Sequence, residues 1–229
     1  MTDYAFPPAP IPGLAIQGSD SRFPVRRVYC IGRNYADHAR EMGHDPDRED
    51  PFFFQKNPNN LWQSSEMAYP PGTQDLHHEV ELAMALKDGG RNIPLADAMN
   101  CVWGYAVSLD MTRRDLQGVA KKAGRPWEIG KAAEQSAPIG LLVPADAAGD
   151  VEDARIKLSV NGTERQSGTV SQMIWKMPEI ISYLSEYFEL AAGDVILTGT
   201  PAGVGPVGIG DRLIAEVDGL PSLDVTITG

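Results

Sequence analysis

A chain of 229 residues, 42% hydrophobic and 22% charged, has apolar content enough for one large core, which excludes disorder along its whole length. Its formal net charge of −11, from 20 basic and 31 acidic residues, repels polyanions and argues against nucleic acid as a partner. The two cysteines, Cys30 and Cys101, sit in the apolar runs VYCIG and NCVWGY. They read as packing residues of a reducing compartment, without the C-x-x-C spacing of a zinc or redox motif. The segment MTDYAFPPAP lacks the basic and apolar regions of a secretory signal, and no apolar run reaches the length of a membrane span. The expected location is the cytoplasm, with no membrane partner.

Residues 1–25 are rich in Pro, Gly and Ala and are expected to form an extended arm with one short strand near Leu14–Gln17. The globular domain, residues 26–229, begins with RRVYCI, a buried-strand pattern. Gly32–Arg33–Asn34 reads as a turn, with Asn34 placed to cap a helix over Tyr35–Met42 and Gly43 to end it. Asp45–Asp50 is a charged loop. Phe52–Phe53–Phe54 is predicted as a buried strand, His77–Leu86 as one long strand, Leu95–Met99 as a short helix and Val102–Leu109 as a strand. A helix is expected over Thr112–Ala123, broken by Gly124–Arg125–Pro126. Ile156–Val160 and Thr163–Gln166 flank Asn161–Gly162, the favoured turn of a two-residue hairpin. Met177–Phe188 is amphipathic, with Pro178 in its first turn. Val195–Thr198, Leu213–Val217 and Leu223–Ile227 read as strands. Many short strands with a few short helices point to an α+β, β-rich fold rather than a doubly wound one.

The stretch His77–His78–Glu79–Val80–Glu81–Leu82 carries the most chemistry. Side chains at i and i+2 of a strand share a face, so Glu79 and Glu81 project together. Two adjacent carboxylates repel unless a proton or cation lies between them. Alone, E-x-E is read as a solvent-facing strand. Here its neighbours are apolar, and a third acid, Asp110, closes the apolar run GYAVSLD. Three carboxylates suit a hard divalent cation: Mg2+, Mn2+ or Ca2+. Adjacent His77 and His78 point to opposite faces, so they do not share one metal, and His78 is expected to pack or to support the site from behind.

A second group is His38 and Glu41, three apart on the predicted helix and so on one face, as in a base whose tautomer a carboxylate fixes. It reads equally as a surface ion pair. Arg114 has the chemistry to clamp a carboxylate, and Gln117 to orient a carbonyl or water, although both fit the outer face of an amphipathic helix. Lys131 follows the largely apolar stretch WEIG and reads as a buried cation near an anion, or as a surface lysine. One other pattern fails on context. Gly203–Gly208 spells G-x-G-x-x-G but contains Pro206 and precedes no helix. No G-x-S-x-G elbow is present, which excludes that class of serine hydrolase.

Taken together, the blocks CIGRNYADHAREMG, PFFFQK, HHEVELAMAL, GYAVSLDMTRRDLQ, GRPWEIGKAAEQSAPIG, VNGTERQ and GDVILTGTPAGVGPV resemble the fumarylacetoacetate hydrolase family in its single-domain branch. The blocks are long, ordered and cover the chain from about Arg26 to near its end. The resemblance implies a mixed β-sheet roll with few helices, a homodimer, and a magnesium or manganese site held by Glu79, Glu81 and Asp110. It implies that His38 and Glu41 activate water from a lid, with Lys131 as a further catalytic group. Arg33, Arg114, Gln117 and Thr200 are implied at the substrate or just behind it. The segment from Phe23 to Pro58 is most similar to hydrolases of fumarylpyruvate in gentisate-type ring-cleavage pathways. The implied substrate is therefore a small anionic 2,4-dioxo acid, cut at a carbon–carbon bond. Acylpyruvases, oxaloacetate decarboxylases and dioxo-acid isomerases share the same motifs, and a non-catalytic protein that binds a metal and a small acid is the alternative of another class. Where many relatives have Lys-Pro, this chain has Lys56–Asn57–Pro58, a departure at the expected pocket border.

Overall fold

The computed structural model describes residues 3–36 and 50–229. Its central sheet has six strands in the order Val143–Pro144, Val102–Leu109, Val80–Leu86, Asp194–Leu197, Arg27–Gly32 and Phe52–Lys56. Asp194–Leu197 runs parallel to Arg27–Gly32, and the other neighbours are antiparallel. A five-stranded sheet is built from Thr163–Thr169, Arg155–Val160, Arg212–Val217, Leu223–Thr228 and Glu66–Ala68. The described α-helices are Arg114–Lys122, Glu128–Lys131 and Met177–Tyr187. This is the β-rich α+β fold the sequence implies. Among the described residues no helix is long and apolar enough to cross a membrane.

Period-two alternation sorts the central strands onto two cores. Val80, Leu82, Met84 and Leu86 face a large core shared with Ile156, Leu158 and Leu213 of the second sheet and with Ile180 and Leu184 of the Met177–Tyr187 helix. Ala83 and Ala85 face the other way, with Val28, Cys30, Ala106, Val195 and Leu197. That smaller core is closed by Leu14, Phe23 and Val25. The first two lie on an antiparallel hairpin of Gly13–Ile16 with Ser19–Pro24. The arm expected to hold one strand thus holds two, because burying Leu14 and Phe23 rewards pairing that local composition does not announce.

Four other elements differ from expectation. The long strand expected over His77–Leu86 is interrupted at Glu79: Leu76–His78 pairs with Thr112–Arg113 and Gly205–Val207, while Val80–Leu86 pairs with Val102–Leu109. The chain changes sheets at this acid. Phe52–Lys56 is an edge strand, so Phe52 is 39% exposed rather than buried; its ring packs 4.8 Å from that of Trp127. Leu95–Met99 is no α-helix, and a 3-10 turn covers Ala98–Cys101 instead. Thr112–Arg113 is extended, and the helix begins only at Arg114. The Asn161–Gly162 turn is as expected, with φ of 52° and 78° joining the two paired strands. The helix predicted over Tyr35–Met42 lies outside the described residues beyond Ala36.

Candidate metal centre and active site

Glu81 follows the parity of Ala83 and Ala85, so it points to the small-residue side of the sheet, opposite Ser108 on the neighbouring strand. Asp110 follows that neighbour, and its N–H donates to the Glu79 carbonyl at 2.8 Å. Ladder pairing therefore brings the three acids to one end of two adjacent strands. Glu79, Glu81 and Asp110 are 6%, 2% and 1% exposed, and one carboxylate oxygen from each lies within 4.8 Å of the others.

Such burial is costly for carboxylates unless cations oppose it. Lys131 Nζ bridges Glu79 Oε2 at 2.8 Å and Asp110 Oδ2 at 2.6 Å. Lys56 Nζ lies 2.9 Å from Asp110 Oδ1, and Arg114 Nη2 pairs with Glu79 Oε1. Burial pulls against the Lys131 charge, but Asp110 and Glu79 outweigh it and hold the ammonium above the usual lysine value. Glu81 differs. It accepts the Gly199 N–H at 2.7 Å, and among the described residues it has no ion-pair partner. Burial first, then the charges of Asp110 and Glu79, push its carboxyl well above the usual carboxylate range. An all-oxygen donor set, mutually repelling and buried, fits a hard divalent cation such as Mg2+ or Mn2+. His77 and His78 are engaged elsewhere: His78 Nδ1 faces Gln166 Oε1 at 2.9 Å, and His77 Nε2 pairs with Asp75 at 2.9 Å.

The acids open onto a cleft lined by Arg33, Phe54, Arg114, Gln117, Trp127 and Thr200, among others. The Arg114–Lys122 helix supplies Arg114 and Gln117, joined by an Nη1 to Oε1 hydrogen bond of 2.6 Å. The short Glu128–Lys131 helix packs against it at Gly130, where a Cβ would come within 2.9 Å of Gln117 atoms. Glycine thus permits the approach that carries Lys131 to the acids. Arg33 adopts a left-handed φ of 58°, uncommon for a side-chain-bearing residue, and sets its guanidinium 5.7 Å from the Phe52 ring centroid. Lys121 joins the cleft wall; partial burial, then the charges of Arg33 and Arg114, lower its pKa.

The profile described as fumarylacetoacetate (FAA) hydrolase C-terminal matches residues 27–228. The chain belongs to the fumarylacetoacetate hydrolase family. Among similar solved structures is one titled fumarylpyruvate hydrolase from Pseudomonas aeruginosa in complex with Mn2+ and pyruvate, with 52% identity, a TM-score of 0.96 and coverage of 99% of each chain. An oxaloacetate tautomerase of Escherichia coli (strain K12) is 43% identical over 205 residues, 89% of this chain and 93% of that protein. A mitochondrial oxaloacetate tautomerase of Homo sapiens is 42% identical over 198 residues, 86% and 90% of the two chains.

In this fumarylacetoacetate hydrolase family member, eight expected site residues meet in one cleft: Glu79, Glu81, Asp110, Lys131, Arg33, Arg114, Gln117 and Thr200. His38 and Glu41 lie outside the described residues. Sequence reasoning missed Lys56. Its buried ammonium also donates to the carbonyls of Met111 and Lys131 and to Ser136 Oγ. The available signal was a lysine ending an apolar run, the same cue that singled out Lys131. Lys121 and Trp127 were also missed as cleft residues, although Lys121 lies four residues after Gln117 on the same helix face. Asn57 is exposed and is not among the described residues that line the cleft, although it follows the buried Lys56.

Proposed function

We propose that this protein is a divalent-metal-dependent hydrolase of a 2,4-dioxo acid with a second carboxylate, fumarylpyruvate in the first instance, which it cuts to fumarate and pyruvate. The observation that carries this reading is the buried Glu79–Glu81–Asp110 cluster bridged by Lys131 at the floor of a cleft walled by Arg33, Arg114 and Lys121. Bound Mn2+ or Mg2+ supplies a Lewis acid that polarises the 2-oxo group. Lys131, held protonated, donates to the oxygen on which enolate charge develops. Arg114, fixed by Glu79 and Gln117, binds the carboxylate beside the 2-oxo group, and Thr200 adds a hydroxyl donor. Arg33 and Lys121 at the cleft wall meet the distal carboxylate. His38, oriented by Glu41, takes a proton from water. The resulting hydroxide adds to C4. The C3–C4 bond then breaks with its electron pair passing to C3, releasing fumarate, and protonation at C3 gives pyruvate.

A second reading is tautomerisation of oxaloacetate, favoured by the names of the 42–43% identical relatives, with its decarboxylation as a variant on the same enolate. It needs the same enolate stabilisation and no attack by water. The two separate on a panel of fumarylpyruvate, a neutral acylpyruvate and oxaloacetate with the Mn2+-loaded protein, following enol absorbance and identifying products by chromatography. Stoichiometric fumarate and pyruvate are expected, with fumarylpyruvate preferred over the neutral acyl compound. Turnover of oxaloacetate alone overturns the hydrolase reading. His38→Ala is expected to lose about 10²–10⁴-fold in kcat with Mn2+ affinity unchanged, and a fully active variant removes His38 as the base.

A further inference from the structure

Gln166 lies on the Thr163–Thr169 strand and is 1% exposed. Its Oε1 accepts the Val80 N–H at 3.0 Å and lies 2.9 Å from His78 Nδ1. Its Nε2 donates to the Pro201 carbonyl and to Thr200 Oγ1, both at 2.8 Å. The orientation of this amide is not a free choice. A backbone N–H only donates and a proline carbonyl only accepts. Turning the amide over would oppose donor to donor at Val80 and acceptor to acceptor at Pro201, both buried, at the cost of two hydrogen bonds.

Two assignments follow. His78 Nδ1 carries a proton, because Gln166 Oε1 can only accept. Thr200 Oγ1 accepts from Gln166, which leaves the single hydroxyl proton for another partner. Among the described residues none takes it, and Thr200, 3% exposed, lines the cleft beside Glu81 and Lys131. Its loop is tied to the acids as well, through the Gly199 N–H on Glu81 Oε2 at 2.7 Å.

We propose that Gln166 is a positioning residue that fixes the Thr200 hydroxyl as a hydrogen-bond donor into the cleft, directed at a carboxylate oxygen of the bound oxo acid. The amide acts on ligand binding through one proton, at a distance from the ligand. This inference rests on the reading of the cleft as an oxo-acid site.

The test is pyruvate affinity of the Mn2+-loaded protein by titration calorimetry, with Mn2+ affinity measured separately in every variant. Thr200→Val is expected to weaken pyruvate about 10-fold, as loss of a hydrogen bond to a charged acceptor does, while Thr200→Ser stays within about 2-fold of the parent. Gln166→Glu replaces the donor by an acceptor, so the Thr200 proton turns to it and away from the ligand. In that background Thr200→Val is expected to cost less than about 2-fold further, a non-additivity that a merely structural role for Gln166 does not produce. If Gln166→Glu does not fold, Gln166→Met removes the anchor without a charge, and the cost of Thr200→Val is expected to fall at least about 3-fold from its wild-type value. Equal costs in both backgrounds, or Thr200→Ser as weak as Thr200→Val, overturn the inference while leaving the oxo-acid site intact. A Mn2+-loaded wild-type protein that binds no pyruvate overturns the reading of the site and this inference with it.

Discussion

Asp110→Ala is expected to destabilise the protein by roughly 3–5 kcal/mol, the usual cost of orphaning buried charge, and to abolish divalent-metal binding. Asp110 is 1% exposed, with Lys131 Nζ at 2.6 Å from one oxygen and Lys56 Nζ at 2.9 Å from the other. Truncation leaves two buried ammoniums facing a small cavity. Lys56 keeps its contacts with Ser136 and with main-chain carbonyls, and Lys131 keeps Glu79, but the net charge of the pocket rises by one. Asp110→Asn preserves shape and is expected to recover part of the stability while still weakening Mn2+ by more than about 100-fold, beyond what loss of an outer partner of a ligand does. Urea denaturation and a Mn2+ titration of the two variants measure the two effects. An Asp110→Ala protein as stable as the parent removes the argument that the two lysines depend on this carboxylate.

Lys131→Met is expected to move turnover and metal affinity in opposite directions. Its ammonium sits within 2.8 Å of Glu79 and 2.6 Å of Asp110, the same groups that the cation needs. Like charges at contact range in a partly screened interior repel by a few kcal/mol, so removing the ammonium is expected to tighten Mn2+ by about 10-fold or more. The same change deletes the donor proposed for the developing enolate and is expected to cost about 10²–10³-fold in kcat, as removal of one oxyanion donor does. Met keeps length and apolar bulk near the Phe54 ring, over which Nζ now lies at 5.1 Å. Steady-state kinetics and a Mn2+ titration on the same preparation check both signs. Parallel loss of affinity and turnover instead makes Lys131 a support of the acid cluster rather than a competitor of the cation.

The acid cluster was legible because charged residues inside apolar strands have few bland explanations. The reason was only half right, however. Strand parity does place Glu81, which shares a face with Ala83 and Ala85. Glu79 reaches it by a different route, at a change of sheet that a run of alternating residues does not reveal. Asp110 was found from its position at the end of GYAVSL, and ladder pairing explains why that end is the relevant one. Lys56 was passed over although it ends an apolar run as Lys131 does, and its partners, Asp110 and Ser136, lie far off in the sequence. Gln166 was read only as part of a hairpin, yet it joins His78, Val80, Thr200 and Pro201. Phe52–Phe54 looked like core because aromatics usually are. At the edge of the sheet only half of that holds: Phe53 and Phe54 are half-buried against the two cores, while Phe52 is exposed and packs on Trp127.

The most direct test of the metal-held cluster is an electron paramagnetic resonance titration of Mn2+ into the metal-stripped protein and into its Glu81→Gln variant, each with and without pyruvate. Glu81 is the informative acid because its loss disturbs neither lysine nor Arg114, and glutamine still accepts the Gly199 N–H. The account predicts one Mn2+ per chain, a spectrum perturbed by pyruvate, and affinity more than about 100-fold weaker in Glu81→Gln with an unfolding midpoint no lower than that of the stripped parent. Wild-type affinity for Mn2+ in Glu81→Gln would contradict it.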